Sequence, residues 1–363
     1  MLSRSALEFI GAITFEALTG RPAYTALIEP GHALDHIKLA RAAEFIVVAP
    51  ATADFLSRAA SGRADDLLTA CLLATNAPVL IVPAMNDRMW SHPQTAQNVT
   101  RLRELGYTVL DPDVGELAVG EGAGPGRMPE PEAILAHVGR GLEEPGDLRG
   151  KRIVVSAGPT REAIDPVRFI SNRSSGKMGI AIAAAAWRRG AEVALVAGPL
   201  SAPLPAGICV KSVETVEQMR DAIAAELPSA DALIMAAAPA DFRPASAASS
   251  KIKKSIAAPE ITLVATPDIL SETRAQRRRG MVVVGFALET DDGLANAQRK
   301  LDVKDLDLVV LNNALEEGSG FEGDTNRVTI IRRDGNAESL PLLTKSEVAD
   351  VILDRVTEVA RGR

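Results

Sequence analysis

Cysteine and aromatic residues are scarce in this 363-residue sequence, which has two cysteines and 3% aromatic residues. Cys71 and Cys209 both lie in apolar stretches, so we interpret them as reduced core residues and exclude a disulfide framework. The histidines are too few and too irregularly spaced to predict a metal-ligand set, and they are His32, His36, His92 and His137.

Positive charge is not in excess either, since the chain has 40 Lys and Arg residues and 47 Asp and Glu residues, which gives a net charge of −7. This balance argues against bulk nucleic-acid binding, so any anionic ligand must be held by local cations or by backbone N–H groups. The sequence shows no signal peptide and no apolar run of membrane-spanning length. It therefore predicts a cytoplasmic protein with neither a nucleic acid nor a membrane as partner.

Hydrophobic residues make up 47% of the chain and are mostly Ala, Val, Leu and Ile, a mixture typical of parallel strands covered by helices. Strand and helix patterns alternate, and the length suggests two domains, so we predict an α/β fold with two doubly wound, Rossmann-like domains. The predicted elements include two short helices and an antiparallel edge of the second sheet, at about Ala53–Ala60, at Leu67–Ala74, and at 326–335 with 338–343. The polar stretch Gly139–Gly150 predicts a linker at 141–150 between domains 1–140 and 151–363. The first domain opens on the helical pattern of 1–20, where such a fold normally begins with a strand and a Gly-rich turn.

The loop Ser156–Gly179 follows the first predicted strand of the second domain and leads into a helix. Ser174, Ser175 and Gly176 stand where a helix N-terminus offers unpaired N–H groups to a phosphate. The loop lacks the Walker A spacing, because Met178 follows the lysine of its Gly-Lys pair. A long loop with a good helix cap remains the alternative interpretation.

Several motifs in family order make the second domain resemble the ligase part of the phosphopantothenoylcysteine decarboxylase/phosphopantothenate–cysteine ligase family. Besides the Ser156–Gly179 loop they are AAAPADF at Ala236–Phe242, KIKK at Lys251–Lys254, GFALET at Gly285–Thr290, AxxKLxxKxxDLVVxN at Ala297–Asn312 and GFEGDTNRVTII at Gly320–Ile331. The resemblance implies that the carboxylate of 4'-phosphopantothenate attacks the α-phosphate of CTP, which gives an acyl-cytidylate and pyrophosphate. The amine of cysteine then forms an amide and releases CMP.

By this resemblance Asn172 contacts the acyl-cytidylate, Lys251 lies on a mobile flap, and Phe286 lies near the cytosine. The alternative for Lys251 is a solvated basic loop, and for Phe286 a core aromatic; the residues leave CTP against ATP open. Lys251, Lys300 and Lys304 would supply cations, and Asp241 would hold Mg²⁺ or order the triphosphate. The predicted nucleotide and substrate contacts are Arg168 (alternatively a surface ion pair), Ser174, Ser175, Ala236, Ala237, Asp241, Gly285, Phe286, Lys300 and Lys304.

The first domain resembles the FMN-dependent decarboxylase of the same family, through the matching stretches 31–56, 61–75, 82–90 and 124–131. The resemblance implies that His36 is a catalytic base or proton relay and that Asn86 binds the substrate carboxylate. It also implies that Ala51 and Thr52 touch the flavin. An exposed loop histidine is the alternative for His36.

Two departures from the family pattern concern this first domain. The chain lacks about 40 residues, roughly one strand–turn–helix unit, which in the family carries the Gly-rich loop that grips the FMN phosphate. Impaired flavin binding is therefore expected, together with the loss of a central strand. Val119 also stands where the family has a proton-donating cysteine, so the expected decarboxylation product is the oxidised ene-thiol.

The sequence as a whole predicts a bifunctional enzyme with an intact ligase half and a compromised decarboxylase half. The alternatives are a monofunctional ligase whose first domain is a scaffold, and a nucleotide-binding regulatory module without catalysis. The family also implies a homo-oligomer, with a ligase dimer and a flavin-domain trimer. A dinucleotide-dependent dehydrogenase is set aside, because neither domain start has a G-x-G-x-x-G sequence.

Overall fold

The computed structural model describes residues 1–30, 33–118, 120, 122–200, 202–253, 260–289, 293–313 and 323–363, without the side chains of Glu289 and Asn313. Contacts divide the chain into two compact units, Met1–Leu142 and Glu143–Arg363. His32, Val119, Lys254, Thr290 and the start of the Gly320–Ile331 motif lie outside the described residues. Among the helices of the described ranges, none combines the length and the apolarity that crossing a membrane requires.

A parallel three-stranded sheet of order β1-β2-β3 forms the centre of the first unit, and β4 and β5 form an antiparallel hairpin. The strands are β1 Ile46–Ala51, β2 Val79–Pro83, β3 Thr108–Val109, β4 Asp113–Glu116 and β5 Ala123–Arg127. The helices are α1 Arg4–Leu7, α2 Ala12–Thr19, α3 Asp35–Ala42, α4 Ala53–Ala60, α5 Leu67–Ala74, α6 Asp87–Trp90, α7 Pro93–Glu104 and α8 Pro131–Leu142.

Helix α4 shows how local sequence sets the elements of this unit. Thr52 ends the strand region, and its hydroxyl accepts a hydrogen bond from the N–H of Phe55 at 3.2 Å, which caps the helix. Phe55 and Leu56 then turn inward and join Ile81 of β2 in one apolar cluster. The carboxyl end of β1 therefore runs directly into a helix fixed against the sheet.

The second unit is built on an eight-stranded sheet of order β10-β9-β6-β11-β14-β15-β17-β18. Its strands are β6 Arg152–Ala157, β7 Arg161–Ala163, β8 Phe169–Ser171, β9 Glu192–Ala197, β10 Cys209–Ser212, β11 Ala232–Met235, β12 Phe242–Pro244, β13 Leu263–Ala265, β14 Val282–Glu289, β15 Leu308–Asn313, β16 Thr325–Asn326, β17 Val328–Arg332, β18 Ala337–Ser339 and β19 Leu343–Thr344. Its helices are α9 Lys177–Arg188, α10 Val216–Glu226, α11 Ile269–Glu272, α12 Gly293–Val303 and α13 Lys345–Arg361.

The first six strands of that sheet order run parallel, and β17 and β18 add an antiparallel edge, as the sequence predicts. Strand β11 is buried at every position, which explains why it reads as a continuous apolar run. Helices α10, α11 and α12 share a core cluster with the sheet, while α9 and α13 pack on each other and on its strands. The predicted α/β fold class is confirmed.

Gly179 allows α9 to approach β6 closely at the end of the strand. A Cβ atom at Gly179 would lie 2.6 Å from the Cβ of Ala157 and 2.8 Å from the carbonyl oxygen of Ser156. Neither of these atoms belongs to the end of a flexible side chain, so the added methyl group can fit only if the helix or the strand shifts. Gly179→Ala is therefore expected to lower the free energy of unfolding by about 1–3 kcal/mol, the cost of overpacking. Urea unfolding followed by fluorescence measures this, with Gly362→Ala as the control because its nearest neighbouring atom is 3.7 Å away. Equal stability of the two variants would refute the close-approach argument.

Candidate active site

A cavity of about 670 Å³ lies in the second unit, where the loops that follow β8, β11 and β13 meet β14, β15 and α12. This is the carboxyl edge of the parallel sheet, where ligands of such folds bind. Nine of the residues predicted from sequence line the cavity, namely Asn172, Ser174, Ser175, Ala236, Ala237, Asp241, Phe286, Lys300 and Lys304. The fold thus brings together motifs that are far apart in the chain.

Asn172 follows β8 and ties its hairpin to the loop after β11. The side-chain amide nitrogen donates to the carbonyl oxygens of Ala238 and Pro239, at 3.3 and 2.9 Å. An amide nitrogen has two hydrogens, and both are used by these bonds. The ligand-binding capacity of the Asn172 side chain therefore lies in its carbonyl oxygen.

The N-terminus of α9 opens on the cavity, and its N-cap residue is a glycine, which has no side chain to accept a capping bond. The N–H groups of Gly176 and Lys177 donate to the hydroxyls of the two preceding serines at 3.4 and 3.5 Å. Gly176 is the N-cap residue with φ of 76°, and a Cβ atom there would lie 2.2 Å from Leu200 and 3.1 Å from the nitrogen of Gly158. Only glycine suits this position. Ser174 and Ser175 precede it, so the first turn presents N–H groups and hydroxyls together, an arrangement suited to phosphate oxygens.

Among the described residues, four lysines line the cavity. Lys300 donates from Nζ to the carbonyl oxygen of Phe286 at 2.6 Å, and Lys304 pairs with Asp268 at 3.1 Å. Their ammonium groups are held in place by these bonds. Phe286 itself is half-buried in the cavity wall rather than enclosed in the core.

Lys177 and Lys345 are the two cavity lysines that sequence reasoning missed. Lys177 pairs with Asp324 at 2.7 Å, and Lys345 donates to the carbonyl oxygen of Gly323. Burial lowers the pKa of the Lys345 ammonium, and the charge of Lys177 lowers that pKa further. The signal for Lys177 was its place in the SSGKMG sequence, whereas Lys345 reaches the cavity only through the pairing of β16 with β19.

Asp241 is the carboxylate on the cavity that the sequence predicted as a metal ligand, and it is exposed. Within the described ranges, no three His, Cys, Asp or Glu side chains cluster as a metal site. Magnesium nevertheless fits this arrangement, because it is commonly bound by one or two carboxylates together with substrate phosphates and water.

Gly285, Arg168 and Lys251 are predicted site residues that do not line the cavity. Gly285 is buried in β14, where a Cβ atom would lie 2.6 Å from Leu306, so its small size serves packing. The guanidinium of Arg168 pairs with Asp165. Lys251 is exposed and lies one residue before Ile252, whose carbonyl oxygen accepts a 2.8 Å bond from Arg168.

In the first unit, the carboxyl ends of β1 and β2 bring the residues predicted to contact the flavin and the residue predicted to bind the substrate carboxylate to one edge of the sheet. The N–H of Ala84 donates to the carbonyl oxygen of the fully buried Ala51 at 3.1 Å. Thr52 and Asn86 follow these two strands and cap α4 and α6.

The hairpin of β4 and β5 packs on the loop that contains Asn86, since the N–H of Met85 donates to the carbonyl oxygen of Gly126 at 3.0 Å. A Cβ atom at Gly126 would lie 2.1 Å from the Met85 carbonyl oxygen. The glycine of the GPGRM sequence thus allows the two motifs to touch.

His36 lies on α3 and is half-buried, which differs from an exposed loop histidine. Its Nδ1 atom is buried and has no hydrogen-bond partner within the described part of the chain. An orphaned ring nitrogen of this kind is costly unless a ligand or water pairs with it. The observation fits a residue that faces a bound group.

The sequence of the chain matches two protein-family models. The family described as DNA/pantothenate metabolism flavoprotein C-terminal domain matches residues 148–359, and the flavoprotein family matches residues 1–142. The coenzyme A biosynthesis bifunctional protein CoaBC of Mycobacterium tuberculosis is 46% identical over 375 residues, covering 99% of this chain and 89% of the relative. The CoaBC protein of Bacillus subtilis is 41% identical over 366 residues, covering 99% and 90%.

Two solved structures are similar to the second unit. The crystal structure of the C-terminal domain of a CoaBC protein is 38% identical with a TM-score of 0.51, and covers 59% of this chain and 98% of that one. The DNA/pantothenate metabolism flavoprotein from Streptococcus pneumoniae, at 22% identity, shares the fold with a TM-score of 0.50, covering 57% and 98%. The chain therefore belongs to the family of bifunctional coenzyme A biosynthesis proteins and is an enzyme of that pathway.

Proposed function

We propose that the second unit joins 4'-phosphopantothenate to cysteine with CTP as the activating nucleotide, through an acyl-cytidylate. The observation that carries this proposal is the convergence of four lysines and the N-terminus of α9, which begins at a glycine, on one cavity. Such a cavity suits a triphosphate, because its negative charge needs cations and N–H groups to offset the loss of water.

In the first step a carboxylate oxygen of 4'-phosphopantothenate bonds to the α-phosphorus, and the bond from that phosphorus to the pyrophosphate oxygen breaks. The role of Lys300 and Lys304 is to stabilise charge on the departing pyrophosphate. In the second step the amine of cysteine attacks the acyl carbon, CMP leaves and the amine loses a proton. We assign the Asn172 carbonyl oxygen to orienting the reacting acyl group, and Lys251 to the flap over the site.

Mg²⁺ belongs to this proposal as a counter-ion of the triphosphate, held on the protein side by Asp241. Bound there, it would polarise phosphoryl oxygens as a Lewis acid. Asp241→Asn is expected to raise the Mg²⁺ concentration for half-maximal CMP release by about tenfold, which corresponds to about 1.4 kcal/mol of lost binding. Asp302→Asn is the matched control, because Asp302 is exposed on α12 and does not line the cavity. An unchanged Mg²⁺ requirement in Asp241→Asn would exclude Asp241 as the ligand.

For the first unit we propose FMN-dependent decarboxylation of phosphopantothenoylcysteine. Bound FMN would supply the oxidation of the cysteinyl thiol that allows CO₂ to leave. We assign His36 to proton relay, Asn86 to the substrate carboxylate, and Ala51 and Thr52 to contact with the flavin. The match of both units to their family models favours two activities over a monofunctional ligase with a scaffold domain. The same family membership supports a cytoplasmic homo-oligomer.

Val119 determines the expected product of that decarboxylation. Valine has no proton to donate, so the product is expected to stop at the ene-thiol, two hydrogens lighter than phosphopantetheine. Mass spectrometry of a reaction supplied with FMN and phosphopantothenoylcysteine measures this, and Val119→Cys is expected to restore the heavier product. Phosphopantetheine formed in full by the unaltered chain would show that another group donates the proton.

The ligase proposal is tested by a single-turnover reaction without cysteine. CTP and 4'-phosphopantothenate should release pyrophosphate in an amount equal to the enzyme, with CMP retained until cysteine is added. Release of CMP and pyrophosphate together before cysteine is added would contradict the acyl-cytidylate sequence.

A further inference from the structure

The tip of the β7–β8 hairpin carries a buried carboxylate that accepts several hydrogen bonds. Asp165 is 3% exposed and accepts bonds from the N–H groups of Val167 and Arg168, both at 2.9 Å. Its second oxygen accepts from Arg168 Nε at 3.0 Å and Nη2 at 2.5 Å. The hydrogen bond from Arg168 is the main cause that lowers the pKa of Asp165 well below its usual range, so the group is a carboxylate.

The same pair holds a residue that lies 87 positions further along the chain. The N–H of Ile252 donates to Asp165 Oδ2 at 3.1 Å, and its carbonyl oxygen accepts from Arg168 Nη2 at 2.8 Å. The N–H of Ala248 also donates to the carbonyl oxygen of Ile164, at 2.9 Å. Both main-chain polar groups of Ile252 are therefore bound by one ion pair, as a neighbouring strand would bind them.

We call the Asp165–Arg168 pair, with its two bonds to Ile252, the clamp, and its importance follows from the neighbours of Ile252. Ile252 lies between Lys251 and Lys253, which are both exposed. Because Ile252 is held at both its N–H and its carbonyl group, the Cα atom of the adjacent Lys251 is restrained. The ammonium end of the Lys251 side chain can still reach a ligand. Asn172 directly follows β8 of the same hairpin, so a single hairpin carries the clamp at its tip and Asn172 at its end.

We propose that Asp165 and Arg168 are positioning residues that hold Lys251 at a set distance from Asn172, so that the flap lysine is placed for the ligation step. This inference rests on the proposed ligase function for the role of Lys251. Neither residue needs to touch the nucleotide, which agrees with their absence from the cavity wall.

Tryptic cleavage of the full chain after Lys251 and Lys253 tests the clamp without any activity. Asp165→Asn is expected to raise the rate of cleavage by about tenfold, because the anchoring bonds that oppose local opening are weakened. Arg168→Lys keeps the positive charge and leaves the turn bonds of Asp165 intact, but it loses the forked geometry of the guanidinium. Its cleavage rate should therefore lie between the rates of the unaltered chain and of Asp165→Asn. Glu338→Gln is the control, since it breaks a forked pair of the same kind with Arg355, outside the flap. Unchanged cleavage in Asp165→Asn would overturn the clamp.

A double-variant comparison tests the positioning role. Asp165→Asn is expected to lower kcat/KM for ligation by about tenfold in the otherwise unaltered chain and less than about twofold in a Lys251→Ala background. An equal loss in both backgrounds would overturn the proposal, because it would show that Asp165 does not act through Lys251. If the unaltered chain forms no amide from CTP, 4'-phosphopantothenate and cysteine, the proposed function has failed, and the cleavage rates alone decide whether the clamp exists.

Discussion

Asn172→Asp is expected to lower kcat/KM for ligation by about 10³-fold, the upper range for loss of one oriented polar group in an active site. The present amide nitrogen lies 3.3 and 2.9 Å from two carbonyl oxygens, to which it donates. A carboxylate oxygen in that place accepts hydrogen bonds only, so it would repel both carbonyls. It would also add negative charge to a cavity proposed to hold a triphosphate.

The comparison for this prediction uses a second asparagine. Asn336 is exposed between β17 and β18 and does not line the cavity, so Asn336→Asp makes the same chemical change without the same consequence. Amide formation by Asn336→Asp should equal that of the unaltered chain. Comparable rates in the Asn172 and Asn336 variants would remove Asn172 from the site.

Lys300→Met is expected to slow pyrophosphate release by about 10²-fold, because one fixed cation next to the departing group is removed. The Lys300 ammonium is fixed by its 2.6 Å bond to the carbonyl oxygen of Phe286. Methionine keeps a similar length and apolar stem. The attack of cysteine on a pre-formed acyl-cytidylate should change much less, since pyrophosphate has already left.

Rapid quenching of the first step and a separate measurement of the cysteine step distinguish these two effects. Lys151→Met is the matched control, as Lys151 is exposed and lies outside the cavity. If Lys300→Met slows both steps equally, the lysine acts on the structure of the site and not on the leaving group.

The sequence predicted the elements of this protein well where local signals decide the structure. Helices Ala53–Ala60 and Leu67–Ala74 were predicted with the bounds the structure has, because Thr52 and Asp66 cap them. The antiparallel edge at β17 and β18 was also predicted, and the structure confirms it. These features depend on a few neighbouring residues.

Features that depend on distant pairing were not predicted. Lys345 reaches the cavity because β16 pairs with β19, and nothing near Lys345 in the sequence indicates that pairing. Arg168 was interpreted as a ligand-binding cation with a surface ion pair as alternative, and the structure shows its ion pair with Asp165. Its partner Ile252 lies in another motif, so the clamp is visible only in three dimensions. The assigned roles of the cavity residues remain predictions.

The most direct test of the account is CMP release from CTP by the purified full chain, with 4'-phosphopantothenate and cysteine both present and then each omitted. We expect CMP release only when both are present, together with an amide product whose mass is that of phosphopantothenoylcysteine. CMP release that is independent of cysteine, or no CMP release under any of these conditions, would contradict it.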